Sequence, residues 1–498
     1  MSHLLRPSWP AKRFGSGTAL LALAALALSS AAAAPASAGE ALGRGQSFSF
    51  KVGQVPPRRV GRQPSKTSGA GREVREPKRL GKRVGKARRP YLPPLVTIPA
   101  QPPVDGDGLG NVPHRSERGA PSLAQSPSVP RQVLIVLDQN QSGDLSAALA
   151  RKHRLEPKQS QLMPLLGGRC ELYEVRGNRS VAQVMAALRR DPRVLLAQAN
   201  FRYQAQAATS SPQAVLPQYA LEKIALPQAH ELARGRDVVV AVIDSAVDQA
   251  HPDLAGAISL AFDAVGAPDR TVGFHGTAVA GIIRAQGVVA GAAPQASILA
   301  VRAFHVRKAG EAAETTSWTL LRAVEWAVEN KANVLNLSFV GPKDDALHLA
   351  LRSATARRVI AVAAAGNNGP RAAPAYPAAY PEVIAVTAID AKDQRYAQAN
   401  RGSYIAFAAP GVDILAPVEK GKHSYLSGTS FATAYVSGIV ALLLERNRDL
   451  DTGAVVDLMT AGAEDLGPQG RDEDFGLGRV NAYASLKALE QLGGDRRR

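Results

Sequence analysis

Residues 237–244 read DVVVAVID, an almost unbroken apolar run that ends on Asp244. A strand with no polar alternation is buried on both faces, as the strands of a parallel sheet are. Comparable runs recur at 298–301, 334–337, 359–363 and 383–387, with helical spacing between them at 318–330 and 347–357. This alternation predicts an α/β domain over about 215–490, a parallel sheet with helices on both faces. In such sheets the carboxyl ends of the strands carry the site, an expectation that the motifs can test.

Upstream the pattern changes. Residues 133–137 (VLIVL), 172–175 and 194–198 read as short strands, and 145–153 and 181–190 as helices; a further strand fits near 162–166. That order predicts a small α+β, ferredoxin-like domain over 131–205. Cys170, the single cysteine of the 498 residues, falls beside the 172–175 strand. One cysteine excludes an intramolecular disulfide, and a small core residue is a plainer role for it than a reactive thiol.

The first 130 residues are of another kind. Arg6, Lys12 and Arg13 precede the apolar stretch 19–28, which small residues follow as far as Ala36-Ser37-Ala38. These are the parts of a cleavable signal peptide over 1–38. Ten strongly apolar residues fall short of the ~20 needed to span a bilayer, which disfavours an uncleaved anchor. Residues 39–130 are rich in Pro, Gly, Arg and Ser and have no sustained hydrophobic period, the composition of a disordered linker. Within it, residues 44–89 hold 15 Lys/Arg against Glu73 and Glu76, so this run supplies most of the chain's net charge of +18. Basic charge on a tail rather than on a folded face argues against specific nucleic-acid binding. A tether to an anionic surface and a solvated spacer both fit the run, and charge alone names no partner.

The α/β part holds the chemistry. Asp244 closes its strand, His275 stands in HGTAVAG at 275–281, and Ser430 in SGTSFATAYVSG at 427–438, where a long apolar helix begins. A serine hydroxyl is a poor nucleophile until an imidazole takes its proton. The imidazole in turn needs a carboxylate to fix its tautomer and balance its charge. Singly, a strand-end Asp, a lone His and a Gly-Thr-Ser turn are commonplace structural features, the last a frequent helix cap. In the order Asp, His, Ser, each with its neighbours, they make a different case.

Over about 215–488 the chain resembles the subtilisin family of serine peptidases. The resemblance rests on VAVIDSAVD at 240–248, HGTAVAG, AAAGNNG at 363–369 and SGTSFATAYVSG, with YPAAYPEVIAV at 376–386 and APGVDI at 409–414 in support. It implies a subtilisin-like fold and an endopeptidase that works on protein or peptide substrates without a cofactor. Asp244 would orient, His275 act as base and then acid, Ser430 attack the carbonyl, and Asn367 donate to the oxyanion. It also implies that 131–205 is a propeptide, folding aid and intramolecular inhibitor, released by a self-cut between about Tyr203 and Gln213. Substrate would lie as an extra strand along Ser338, Phe339, Val340 and Gly341. Val340 and Ala375 replace glycines common at the family's first pocket, so the side chain before the cut should be small or medium and apolar. The product would be a secreted or periplasmic enzyme made as a zymogen.

The chain departs from the family pattern in places. Ala246 stands where a Gly usually follows Asp-Ser, Ala278 replaces a His common after HGT, and Ala434 replaces a Pro near the start of the serine helix. Relatives often bind calcium on an Asn-rich loop after the HGT helix, whereas residues 282–287 (IIRAQG) offer no Asp or Asn. Calcium takes ~6–8 oxygen ligands, and Asp253 in HPDL is a cap on this reading, so the site is expected to be absent. Tyr376-Pro377 matches a cis peptide of the family. A binding protein displayed through its basic tail, with catalysis lost or secondary, is the rival function; retention of Asp244, His275, Asn367 and Ser430 weighs against it.

Overall fold

In the computed structural model of the chain the described residues are 128–139, 143–205, 209–210, 218–266, 273–306 and 313–495. The expected signal peptide, all but three residues of the expected linker, and most of the expected self-cut region lie outside them.

The first elements are β1 (Ser128–Asp138), α1 (Gly143–His153), β2 (Leu155–Met163), β3 (Gly168–Val175), α2 (Val181–Leu188) and β4 (Val194–Ala205). Their strands are antiparallel in the order β4-β1-β3-β2, the ferredoxin-like arrangement. The run VLIVL is apolar throughout because both faces of this sheet are covered. Val133, Ile135 and Leu137 pack with Leu145, Leu149, Val184 and Leu188 of the domain's own helices. Leu134 and Val136 join Trp318 and Leu347 of the following domain. Ser180 starts α2 with a capping box, accepting from Gln183 N while Gln183 Oε1 accepts from Ser180 N, which satisfies two otherwise orphaned donors.

Three local expectations need correction. The further strand is β2, whose middle is polar and exposed, so no apolar period announced it; residues 164–166 form a 3₁₀ turn instead. β1 begins at Ser128, inside the expected linker, where Ser128 pairs with Phe201. Cys170 lies within β3, fully buried, and burial pushes its thiol far above the ordinary value. It is a packing residue.

After β5 (Thr209–Ser210), α3 (Tyr219–Lys223) and α4 (Leu226–Leu232) come β6 (Val239–Asp244), β7 (Ile258–Asp263), α5 (Phe274–Arg284), β8 (Ser297–Arg302) and β9 (Glu314–Thr316). There follow α6 (Ser317–Glu329), β10 (Val334–Leu337), β11 (Phe339–Val340), α7 (Asp345–Thr355), β12 (Ile360–Ala364), β13 (Val383–Ile389) and β14 (Phe407–Pro410). β15 (Ile414–Val418), β16 (Lys422–Ser427), α8 (Thr429–Arg446), α9 (Thr452–Gly462) and α10 (Ala482–Asp495) complete the chain. Seven strands form one parallel sheet in the order β14-β13-β12-β10-β6-β8-β7. One face packs on α5 and α8, the other on α6 and α7, the predicted subtilisin-like α/β layering. The centre of the layer is α8, buried from Thr429 through Leu444; a helix that is apolar all round has to be interior. Gly438 makes that placement fit, since a Cβ there would come within 2.4 Å of Ala292 Cβ. No helix among the described residues is long and apolar enough to cross a membrane.

Candidate active site

The sheet brings several loops to one rim. Asp244 ends β6, Ser338 follows β10, and Asn367 lies three residues beyond β12. His275 and Ser430 are each the second residue of a helix, α5 and α8. The sequence-predicted residues thus gather at the carboxyl ends of parallel strands, as the topology requires.

Asp244 and His275 are buried and directly joined. Asp244 Oδ1 and Oδ2 lie 2.8 and 3.0 Å from His275 Nδ1. A carboxylate only accepts, so Nδ1 carries the proton and the neutral ring keeps its lone pair on Nε2. Nε2 is buried and has no hydrogen-bond partner among the described residues. Asp244 is itself fixed by Ser245 N, which donates to Oδ1 at 2.6 Å. The helix bearing His275 closes on this strand end because Gly276 has no side chain: its N–H donates to Ser245 Oγ at 3.0 Å, and a Cβ would sit 2.4 Å from Ser245 O.

Ser430 is 1 % exposed, and its Oγ donates to Ser338 O at 3.3 Å. Ser338 Oγ donates to Asn336 Oδ1 at 2.8 Å, and Asn336 Nδ2 donates to Ser437 Oγ at 2.9 Å, so the end of β10 is stitched to α8. Asn367 Oδ1 accepts from Thr429 N at 3.1 Å and Thr429 Oγ1 at 2.8 Å. With its oxygen turned to the helix start, the Asn367 NH₂ lies on the side of Gly428, where a Cβ would be 3.1 Å from Nδ2. The imidazole of His275 packs 5.7 Å from the ring of Phe431, the residue after Ser430. The structure therefore joins Asp244 to His275 and sets that ring beside the start of α8, but in it the Ser430 hydroxyl bonds to Ser338 rather than to His275.

The sequence-predicted substrate residues form a continuous edge. Phe339 and Val340 pair with Ala205 and Gln204 of β4. On its other side β4 pairs with β9, Arg202 through Gln204 opposite Thr316 through Glu314. Gly341 N donates to Tyr376 O at 2.8 Å, which sets Ala375 beside Val340 and Gly341; the Tyr376-Pro377 bond is cis. The expected strand ends at 198, whereas β4 continues to Ala205: Ala199 and Phe201 pair with β1, and residues 202–205 owe their extended form to partners in the other domain. Ala246 is not among the residues with positive φ, and α8 runs unbroken through Ala434.

Two acidic residues missed in the sequence also face β4 and its domain. Asp344, the N-cap of α7, is fully buried and accepts from Tyr203 Oη at 2.9 Å, and Glu325 Oε2 accepts from Leu165 N at 3.1 Å. Burial pushes the Glu325 carboxyl up to about 7 against the lowering effect of that hydrogen bond. The signal for Asp344 was its place before the helical run ALHLAL; for Glu325 it was an acid on the buried face of α6.

Asp253 is not a cap by its side chain. Its carboxylate accepts from Val288 N (3.0 Å), Val289 N (3.1 Å) and His423 Nε2 (2.8 Å), and these hydrogen bonds hold it below the usual carboxylate range against the opposing effect of burial. A calcium ion needs oxygen ligands, whereas this carboxylate is taken by N–H groups, so the residues here do not fit the family's calcium.

Residues 235–478 match the subtilase family. Subtilisin E of Bacillus subtilis (strain 168) is 34 % identical over 279 residues, covering 54 % of this chain and 71 % of that protein. Thermitase of Thermoactinomyces vulgaris is 35 % identical over 281 residues, covering 54 % of this chain and 96 % of its own length. Among solved structures, fervidolysin from Fervidobacterium pennivorans, described as a keratinolytic enzyme related to subtilisin, superposes with a TM-score of 0.64 at 23 % identity. That likeness, over 74 % of this chain and 62 % of fervidolysin, concerns the fold.

Proposed function

This chain belongs to the subtilase family and is a serine-type endopeptidase; from that premise we propose that Ser430 is its nucleophile, His275 its base and Asp244 the carboxylate that orients the base. The observation that carries the assignment is the buried Asp244–His275 pair, with the imidazole lone pair left open on Nε2. His275 Nε2 takes the Ser430 proton as Oγ attacks the scissile carbonyl, and Asp244 balances the charge on the ring. The Asn367 NH₂ and the Ser430 N–H donate to the oxygen that becomes negative. His275 then passes the proton to the leaving amine, and water repeats the sequence on the acyl-enzyme. No metal or organic cofactor enters any step.

Residues 131–205 act as an inhibitory propeptide. Support comes from β4, whose residues 202–205 lie between β9 and β11 and fill the groove along Ser338–Gly341 that a substrate strand would use. Val340 and Ala375 narrow the first pocket and favour small or medium apolar side chains before the cut. The pattern over residues 1–38 supports export, and the basic run 44–89 supports contact with an anionic surface through charge alone.

The test compares the full chain with its Ser430→Ala variant on a gel and on casein. Wild type should release a shortened chain and hydrolyse casein, while Ser430→Ala should do neither. Identical bands with no casein hydrolysis by either would overturn the assignment.

A further inference from the structure

The groove between β9 and β11 holds more than a backbone. Tyr203 is 1 % exposed, packs edge-on against Phe339 with ring centroids 5.9 Å apart, and fills the space beside Gly341, where a Cβ would fall 2.1 Å from Tyr203 Cδ1. Its hydroxyl reaches Asp344 Oδ2 at 2.9 Å. We propose that this pocket is a substrate subsite in which Asp344 recognises a phenolic hydroxyl, so that the enzyme prefers tyrosine to phenylalanine at the fourth residue before the bond it cuts. The proposal rests on the peptidase reading above.

The position follows from register. Gln204 lies opposite Val340 and Ala205 opposite Phe339, so the next place along the groove is opposite Ser338. The Ser430 hydroxyl is at Ser338 O, 3.3 Å away, which makes the residue facing Ser338 the one whose carbonyl it attacks. Counting that residue as first, Tyr203 is fourth.

The chemistry follows from what stays behind when β4 leaves. Asp344 now accepts from four groups: Gln198 Nε2 (2.8 Å) and Leu347 N (2.9 Å) on Oδ1, Tyr203 Oη and Ser317 Oγ (2.5 Å) on Oδ2. Tyr380 Oη braces its backbone, accepting from Asp344 N and donating to Asp344 O. Gln198 and Tyr203 depart with β4, while Ser317, Leu347 and Tyr380 belong to the peptidase domain and hold the carboxylate in place. Its vacated lone pair then faces a pocket lined by Phe339. A phenol refills it with a donor. A phenyl ring fills the same space and leaves a buried carboxylate oxygen short of a partner, which a hydrogen bond to a charged group makes a difference of about ten- to hundredfold.

Internally quenched peptides, identical except for a single Tyr or Phe at each of the four positions before the cut, test this on the self-processed enzyme. At the fourth position kcat/KM should be about ten- to hundredfold higher for Tyr, with little difference elsewhere. O-Methyltyrosine, which keeps the oxygen but lacks the proton, should behave like Phe. In Asp344→Ser, which keeps a hydroxyl to cap Leu347 N but withdraws the carboxylate, the ratio should fall to near one. Equal rates for Tyr and Phe at the fourth position, or O-methyltyrosine as good as Tyr, would overturn the proposal while leaving the peptidase intact. An undiminished ratio in Asp344→Ser would remove Asp344 as the reader. Failure to cut any peptide would instead sink the peptidase assignment beneath it.

Discussion

A missing Cβ at Gly276 lets His275 sit against the end of β6. Gly276→Ala would press a methyl group onto Ser245 O, a backbone atom with no freedom to yield. We expect roughly 1–3 kcal/mol of destabilisation in a thermal melt, and a fall in kcat/KM of more than tenfold because the imidazole moves with the helix. Asn367→Ala should lower kcat by ~10²–10³ with KM little changed, since the donor acts on charge that develops only in the transition state. Both residues were legible in the sequence, because each stands in a short motif whose neighbours define its surroundings. Asp344 and Glu325 were not. Their meaning comes from Tyr203 and Leu165, partners 141 and 160 residues away in the chain.

Among the elements, legibility followed burial. β6, β8, β10, β12 and β13 are covered on both faces and read directly as apolar runs. β7 escaped because Ser259, Leu260 and Ala261 are exposed at a sheet edge, and β14 because it is four residues long and ends on Pro410. β9 and β11 are two or three residues long and pair with β4 from the other domain; no local pattern specifies such strands. Helix ends are easier to perturb without touching the chemistry. Asp451 caps α9 by accepting from Ala454 N at 2.9 Å, so Asp451→Ala should cost ~1 kcal/mol in a urea titration and leave peptide hydrolysis unchanged.

For the molecule as a whole, the contact between the N-terminal domain and the peptidase domain is where pH should act. In the docked state burial pushes the Glu325 carboxyl up to about 7; once freed it returns toward the ordinary glutamate range. Between those values the docked, folded state binds more protons than the open one, so its stability falls as pH rises. In the full chain carrying Ser430→Ala, the melting temperature should drop between pH 5 and 7.5 more steeply than in the same chain with Glu325→Gln added. Parallel curves would exclude Glu325 as the cause. The small domain itself was foreseen from its strand and helix order, but its seat on α6 and α7 was not, because apolar faces name no partner. Ser430, the proposed nucleophile, is mounted at the head of α8, which is buried from Thr429 through Leu444, so peripheral fraying does not reach it. Heat inactivation should therefore coincide with the calorimetric transition, and the enzyme should keep full potency until it collapses cooperatively.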